Sequence, residues 1–211
     1  MALDPYSLPL SQKWTWYAHY PCGSSNYGSS YVKLGSFETV GDFWSHHNAC
    51  PKIEAIHGSK VSMKGTPIIA YSIFEGDVLP EWEDPVNLAG SEWGYRANME
   101  VEHFSNLWKT YILGAIGGHI PHCVGVRAIN KTTRHRPMYK VEVWMSKTDT
   151  SSVQSCQRSL ANLMETPPRL SYIPHQQKQI QAQDYLRRRT NSAQCDPNAV
   201  GSPTIKPGAS T

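Results

Sequence analysis

The residues best suited to chemistry are Trp82, Glu83 and Asp84, held in a row between Pro80 and Pro85. Proline fixes its own φ and biases the residue before it toward extended backbone, so Leu79 and Asp84 belong to a loop rather than a helix. An indole offers the strongest aromatic face to a cation. A neighbouring carboxylate accepts two N–H bonds in one plane. The pair therefore suits a flat, delocalised cation with N–H donors along one edge. Acid–base catalysis fits poorly, because adjacent side chains of an extended segment point to opposite sides and Glu83 and Asp84 cannot share a reacting atom. No Ser/His/Asp arrangement and no phosphate-binding Gly-rich motif stands out elsewhere, so the chain is expected not to be an enzyme.

A second candidate group is cationic. Arg127, Lys131, Arg134, Arg136 and Lys140 lie close together with no acidic residue among them. Tyr139, Val141 and Val143 alternate with Lys140, Glu142 and Trp144, and Arg127, Ile129 and Lys131 share one face of the preceding strand. A hairpin of the two would gather Lys131, Lys140 and Trp144 on one surface, with Arg134 and Arg136 in its loop. That is a cationic lip suited to a phosphate chain. The competing reading is a solvated basic hairpin with Trp144 in the core. His46, His47 and Cys50 lack a second ligand pair at zinc-finger spacing, so no metal is expected.

These residues need elements to position them. Aromatic-rich Trp14 to Tyr20 predicts a strand ended by Pro21, and 31–37 a second. Thr39, with Asp42 three residues on, caps a helix that stops before Pro51. Further strands are predicted over 68–74, 93–101, 123–130, 139–145 and 169–173. Leu107, Trp108, Tyr111, Ile112, Ala115 and Ile116 make 105–116 an amphipathic helix closed by Gly117-Gly118. Thr150 or Ser151 caps a third helix, 152–164, ended by Pro167-Pro168. Strands mostly in adjacent pairs, with three interspersed helices, imply an α+β domain: an antiparallel-rich sheet with helices on one face. The expected organisation is a lead-in over 1–12, one domain over 13–174, and a polar tail over 175–211 without fixed structure.

At 211 residues and a net charge of +3, the chain can build one core, but its charge alone does not prove a nucleic-acid partner. No apolar run approaches the roughly 20 residues that cross a bilayer, so no membrane association is expected. Five scattered cysteines, with no C-x-x-C pair, fit a reduced intracellular compartment. Seven tryptophans exceed ordinary usage, and most should be core. A guanine methylated at N7 matches the ligand the Trp82 loop would take: a charged planar ring with donors on its Watson–Crick edge.

Two stretches carry a family resemblance. Phe37-Glu38-Thr39-Val40-Gly41-Asp42-Phe43-Trp44 resembles the F-x-T-V-E-D-F-W signature of the eukaryotic translation initiation factor 4E family. Trp82-Glu83-Asp84-Pro85-x-Asn87-x-x-Gly90-x-x-Trp93 is similar to that family's W-E-D-x-x-N-x-x-G-G-x-W. Leu107-Trp108 through Ile116-Gly117 is similar to its second helix, and Gly125 with the strand ending at Trp144 to its last cap-binding hairpin. The resemblance spans residues from about 8 to 175 in order.

The resemblance implies a curved sheet backed by three helices on its convex face, with a slot for the 7-methylguanosine cap of mRNA on the concave one. Trp82 would stack on the base, Glu83 would take its N1–H and amino protons, and Trp144 would lie against the methyl. Lys131 and Lys140 would meet the phosphates, with Arg134 or Arg136 replacing another basic contact. The second stacking ring falls on Tyr27, with Tyr31 as the alternative. Pro9, Val40, Trp44, Lys109 and Leu113 match a convex surface that docks a helical Tyr-x-x-x-x-Leu peptide from an initiation factor 4G-like scaffold or a 4E-binding protein. Glu92 stands where the family commonly has Arg, Gly41 where it has Glu, and Lys109 and Thr110 where Leu and Glu are usual. No cofactor is implied. A cytoplasmic protein is expected, with a nuclear pool also compatible. Its ligand is capped mRNA, with further-methylated caps a variant of it. The alternative is a paralogue with a weakened slot that acts mainly as a protein-interaction module or translational repressor.

Overall fold

The computed structural model describes residues 4–21, 31–50, 52–57, 62–63, 65–134 and 136–194. Within them, β1 (Pro9–His19) pairs with β2 (Tyr31–Thr39), which runs directly into helix α1 (Val40–Ala49). Thr39 caps α1 as its spacing predicts, its Oγ1 accepting the Asp42 N–H at 3.1 Å. Among the described residues of 52–67 are a 3-10 turn (Ile53–Ala55) and the two-residue strands β3 (Ser62–Met63) and β4 (Thr66–Pro67). Then come β5 (Ala70–Glu75), the single-turn helix α2 (Pro85–Leu88), β6 (Ser91–Ala97) and the long helix α3 (Val101–Ile116). β7 (Cys123–Asn130) and β8 (Tyr139–Met145) form the predicted hairpin. Helix α4 (Thr150–Asn162) and strand β9 (Ser171–Pro174) follow.

The main sheet has seven antiparallel strands in the order β2-β1-β5-β7-β8-β6-β9. Period-two alternation sorts its side chains. Trp14, Trp16 and Ala18 of β1, Tyr71 and Ile73 of β5, Val126 and Ala128 of β7, and Tyr139, Val141 and Val143 of β8 belong to one core. Phe104, Leu107, Trp108, Tyr111, Ile112, Ala115 and Ile116 of α3 join that core, at the i, i+3, i+4, i+7 spacing of a helix with one apolar stripe. The opposite, open face carries Tyr17, Phe74 and Trp144, which form a separate aromatic cluster with Val124.

One difference from the sequence reading has a physical reason. Residues His175–Gln194 form helix α5 instead of an unstructured tail. The segment lacks Pro and Gly and is rich in Gln and Arg, so it has adequate helix propensity although it offers little apolar surface to a core. Its described residues from Gln177 to Gln194 belong to a separate compact unit. At α1, the departure from the family signature has a structural basis. A Cβ on Gly41 would lie 2.8 Å from the Tyr6 carbonyl oxygen, and the Val40 N–H donates to the Leu8 carbonyl at 3.0 Å. The glycine that departs from the family signature is thus what lets the turn Pro5–Ser7 lie against the start of α1.

Candidate functional site

The loop carrying Trp82 is held by two of its own side chains. Asp84 Oδ1 accepts the Val86 N–H, capping α2, and Oδ2 accepts the Leu79 N–H, both at 2.9 Å. Asn87 is fully buried, and its Nδ2 donates to the carbonyls of Leu79 (2.8 Å) and Glu81 (2.7 Å). Asp84 is therefore a structural residue, and Glu83 is exposed at the tip. Trp82 is half-buried and packs on the Tyr17, Phe74, Val124 and Trp144 cluster. Asn87→Ala should open the loop and weaken ligand binding by tenfold or more without removing a ligand contact. The check is loss of binding together with a new proteolytic cut between residues 78 and 90; intact protease resistance would contradict it.

Beneath Trp82, Trp144 is enclosed. Phe74 meets it edge-on at 5.3 Å, His175 packs at 4.5 Å, and the Arg127 guanidinium lies 5.4 Å from its ring centroid. Its Nε1 donates to Glu142 Oε2 at 3.1 Å. At 0% exposure, this ring is the floor of the aromatic cluster. Gly125 stands opposite Trp144 in the β7–β8 pairing. A Cβ there would come within 2.4 Å of the Phe74 ring, so glycine makes the room that Phe74 uses.

Beside the aromatic cluster lies a buried ionic network that the sequence reading does not foresee. Arg127 and Glu142 stand opposite each other in the hairpin, 3.7 Å apart. Lys140 Nζ donates to Glu142 Oε1 at 2.5 Å and to Glu92 Oε1 at 2.7 Å. Glu92 is 1% and Glu142 4% exposed. Burial works against the charged form of Lys140, but Glu142 and Glu92 together outweigh it and hold its pKa above the ordinary lysine value. Lys140 is thus committed to two carboxylates and does not extend as a rim cation. The signal was present in the strand alternation, which puts Lys140, Glu142 and Trp144 on one face, and in Glu92. What was missing was the register that brings Glu92 opposite Trp144. His175 completes the wall, its Nδ1 donating to the Asn87 carbonyl at 2.8 Å. Farther along the open face, buried His19 contacts Ser72 Oγ at 2.7 Å. Burial, then the nearby Arg127, lowers its pKa well below the usual value.

The remaining basic residues are at the hairpin end. Lys131, Arg134 and Arg136 are all exposed, and a Thr133–Arg136 bridge closes the loop. Tyr27 lies outside the described residues. Tyr31, at the start of β2, donates its hydroxyl to Glu81 Oε1 at 2.8 Å and meets Tyr17 edge-on at 5.5 Å. Burial, then the Glu81 bond, raises its pKa, so it stays a donor. On the other face, Pro9 and Lys109 are exposed, while Val40, Trp44 and Leu113 are partly so.

The sequence profile of "Eukaryotic initiation factor 4E" matches residues 9–190. Among relatives, "Eukaryotic translation initiation factor 4E" of Eremothecium gossypii is 33% identical over 114 residues, 53% of this chain and 50% of that protein. The chain thus spans about half the length of that relative. Among solved structures, a complex of C. elegans eIF4E-3 with the 4E-binding protein Mextli and cap analog has a TM-score of 0.66 at 18% identity. It covers 82% of this chain and 95% of that one. Schistosome eIF4E complexed with m7GpppG and 4E-BP has a TM-score of 0.65 at 21% identity, covering 82% and 92%. At these identities the structural likeness speaks to the fold.

Proposed function

Because the chain belongs to the eukaryotic initiation factor 4E family, we propose that it binds the 7-methylguanosine 5′ cap of mRNA and acts in translation initiation or its control. The observation that carries this reading is the laced loop: Asp84 and Asn87 hold Trp82 and Glu83 at the mouth of an aromatic cluster on the sheet's open face. Trp82 stacks on the methylated base, whose positive ring charge adds a cation–π contribution. Glu83 accepts the N1–H and amino protons. Lys131, Arg134 and Arg136 follow the phosphates, and Trp144 supports the slot from below. The opposing ring is Tyr27 or Tyr31, and Tyr31 is already tied to the loop through Glu81. This is recognition without covalent chemistry, as suits a translation factor rather than an enzyme.

The helix-covered face docks a helical peptide of a 4G-like scaffold or a 4E-binding protein, through Pro9, Val40, Trp44 and Leu113. Relatives of this fold solved with a cap analogue and a 4E-binding protein support both halves of the proposal.

The Glu92–Lys140 pair favours a second reading. It removes one cation from the phosphate path, as in a paralogue that has weakened its slot and works as an interaction module or repressor. Retention on 7-methylguanosine triphosphate resin separates the two. The cap-binding reading predicts retention, with release by free methylated nucleotide and not by GTP. Passage through the resin by protein that still binds a Tyr-x-x-x-x-Leu peptide would replace it with the second reading.

A further inference from the structure

A cavity of about 320 Å³ opens on the helix-covered face between the end of α1, the turn Ile53–Ala55 and the first half of α3. Trp16, Tyr71, His47 and Trp108 supply aromatic walls, and Lys52 and Lys109 are exposed at its edge. His47 joins it to the docking face, since its ring meets that of Trp44 at 5.4 Å. Two buried lining residues carry polar atoms with no hydrogen-bond partner among the described residues, Trp16 Nε1 and Tyr71 Oη. Burial, first of all, raises the Tyr71 pKa, so both groups are N–H or O–H donors. Burial, with Lys52 and Lys109 adding to it, also lowers the pKa of His47, against the hydrogen bond that His47 Nδ1 donates to Asn48 Oδ1, which raises it, and His47 brings no third cation at neutral pH. The one acid on the lining, Glu54, already accepts the Ser105 hydroxyl. The cavity therefore presents unused donors and two lysines against a single occupied carboxylate.

We propose that this cavity anchors an acidic segment of the partner protein: a Glu or Asp following the partner's apolar docking residues, its carboxylate held between Lys52 and Lys109. The inference rests on the reading that this face docks a helical peptide, and it specifies the partner's charge. An apolar or basic residue at that position would leave the lysines facing a neutral or like-charged surface, which selects against such partners.

The test uses the full chain and three labelled helical peptides that share a Tyr-x-x-x-x-Leu core and carry Glu, Gln or Lys at the two positions after the Leu. Fluorescence polarisation at low salt should rank them Glu, Gln, Lys. The Glu and Lys peptides should differ by about tenfold or more, from up to about fivefold for each exposed ion pair, and the gap should narrow as salt rises. K52E/K109E should reverse the order, and the binding gained by the Lys peptide cannot arise from misfolding. Equal binding of all three peptides, or an order unmoved by the double variant, would overturn the acidic-partner inference and leave the docking reading standing. Binding of none would overturn both.

Discussion

Glu142→Ala should lower folding stability by about 3–5 kcal/mol, the usual cost of removing one partner from a buried ion pair. The reason is the number of groups that depend on this side chain. Oε1 holds Lys140, while Oε2 accepts the Trp144 indole N–H and faces Arg127. The change removes the carboxylate that faces Arg127, leaves Lys140 with Glu92, and takes the floor ring's hydrogen bond away. Denaturant unfolding should show a large drop in midpoint at unchanged slope. Glu142→Gln should be milder, because one amide oxygen still accepts a bond while the charge is lost. The double change Glu142→Ala with Arg127→Ala should cost less than the sum of the singles, because each removes the other's reason for being charged and buried. Strict additivity, or a cost for Glu142→Ala below about 1 kcal/mol, as for an exposed pair, would show that the network is not holding the floor.

Trp82→Ala should remove most cap binding. Stacking contributes about 1–3 kcal/mol per base, and the cation–π term adds about 1–2 kcal/mol once desolvated. Together these convert to a loss between roughly 30-fold and several thousand-fold. Trp82→Phe should recover part of it, since a smaller ring still stacks. Glu83→Gln should lose about as much as Trp82→Phe or more, because a neutral amide cannot accept both base protons at charge-assisted strength. Glu83 is exposed and lies outside the loop's lacing, so its variant should unfold at the wild-type midpoint. Calorimetric titration reads the binding loss and thermal unfolding reads the fold. Undiminished affinity in Trp82→Ala would remove the stacking role altogether.

Much of the fold is legible in the sequence because it follows from local periodicity. The Thr39 cap, the apolar stripe of α3 and the alternation of Tyr139, Val141 and Val143 each need only their own neighbours to be read. The Trp82 loop is legible from its prolines, but the task of Asp84 and Asn87 is not. A carboxylate beside a tryptophan looks like ligand chemistry until its two oxygens are found on the Leu79 and Val86 amides. The basic stretch misleads in a similar way. Its lack of acids from Arg127 to Lys140 is true along the chain, yet the sheet register sets Glu142 and Glu92 against it from β8 and β6. Helix α5 is missed because composition reports how much apolar surface a segment offers to a core, whereas a solvated helix needs only propensity.

A slot that reads the positive charge of a methylated guanine, as proposed, must separate 7-methylguanosine triphosphate from GTP in a fluorescence titration of the whole chain. Both nucleotides carry the same phosphates and the same Watson–Crick edge, so they differ where Trp82 acts. The methylated nucleotide should quench tryptophan emission with an affinity at least about tenfold above that of GTP, from a cation–π term near 1.4 kcal/mol or more. Equal affinities for the two would contradict it.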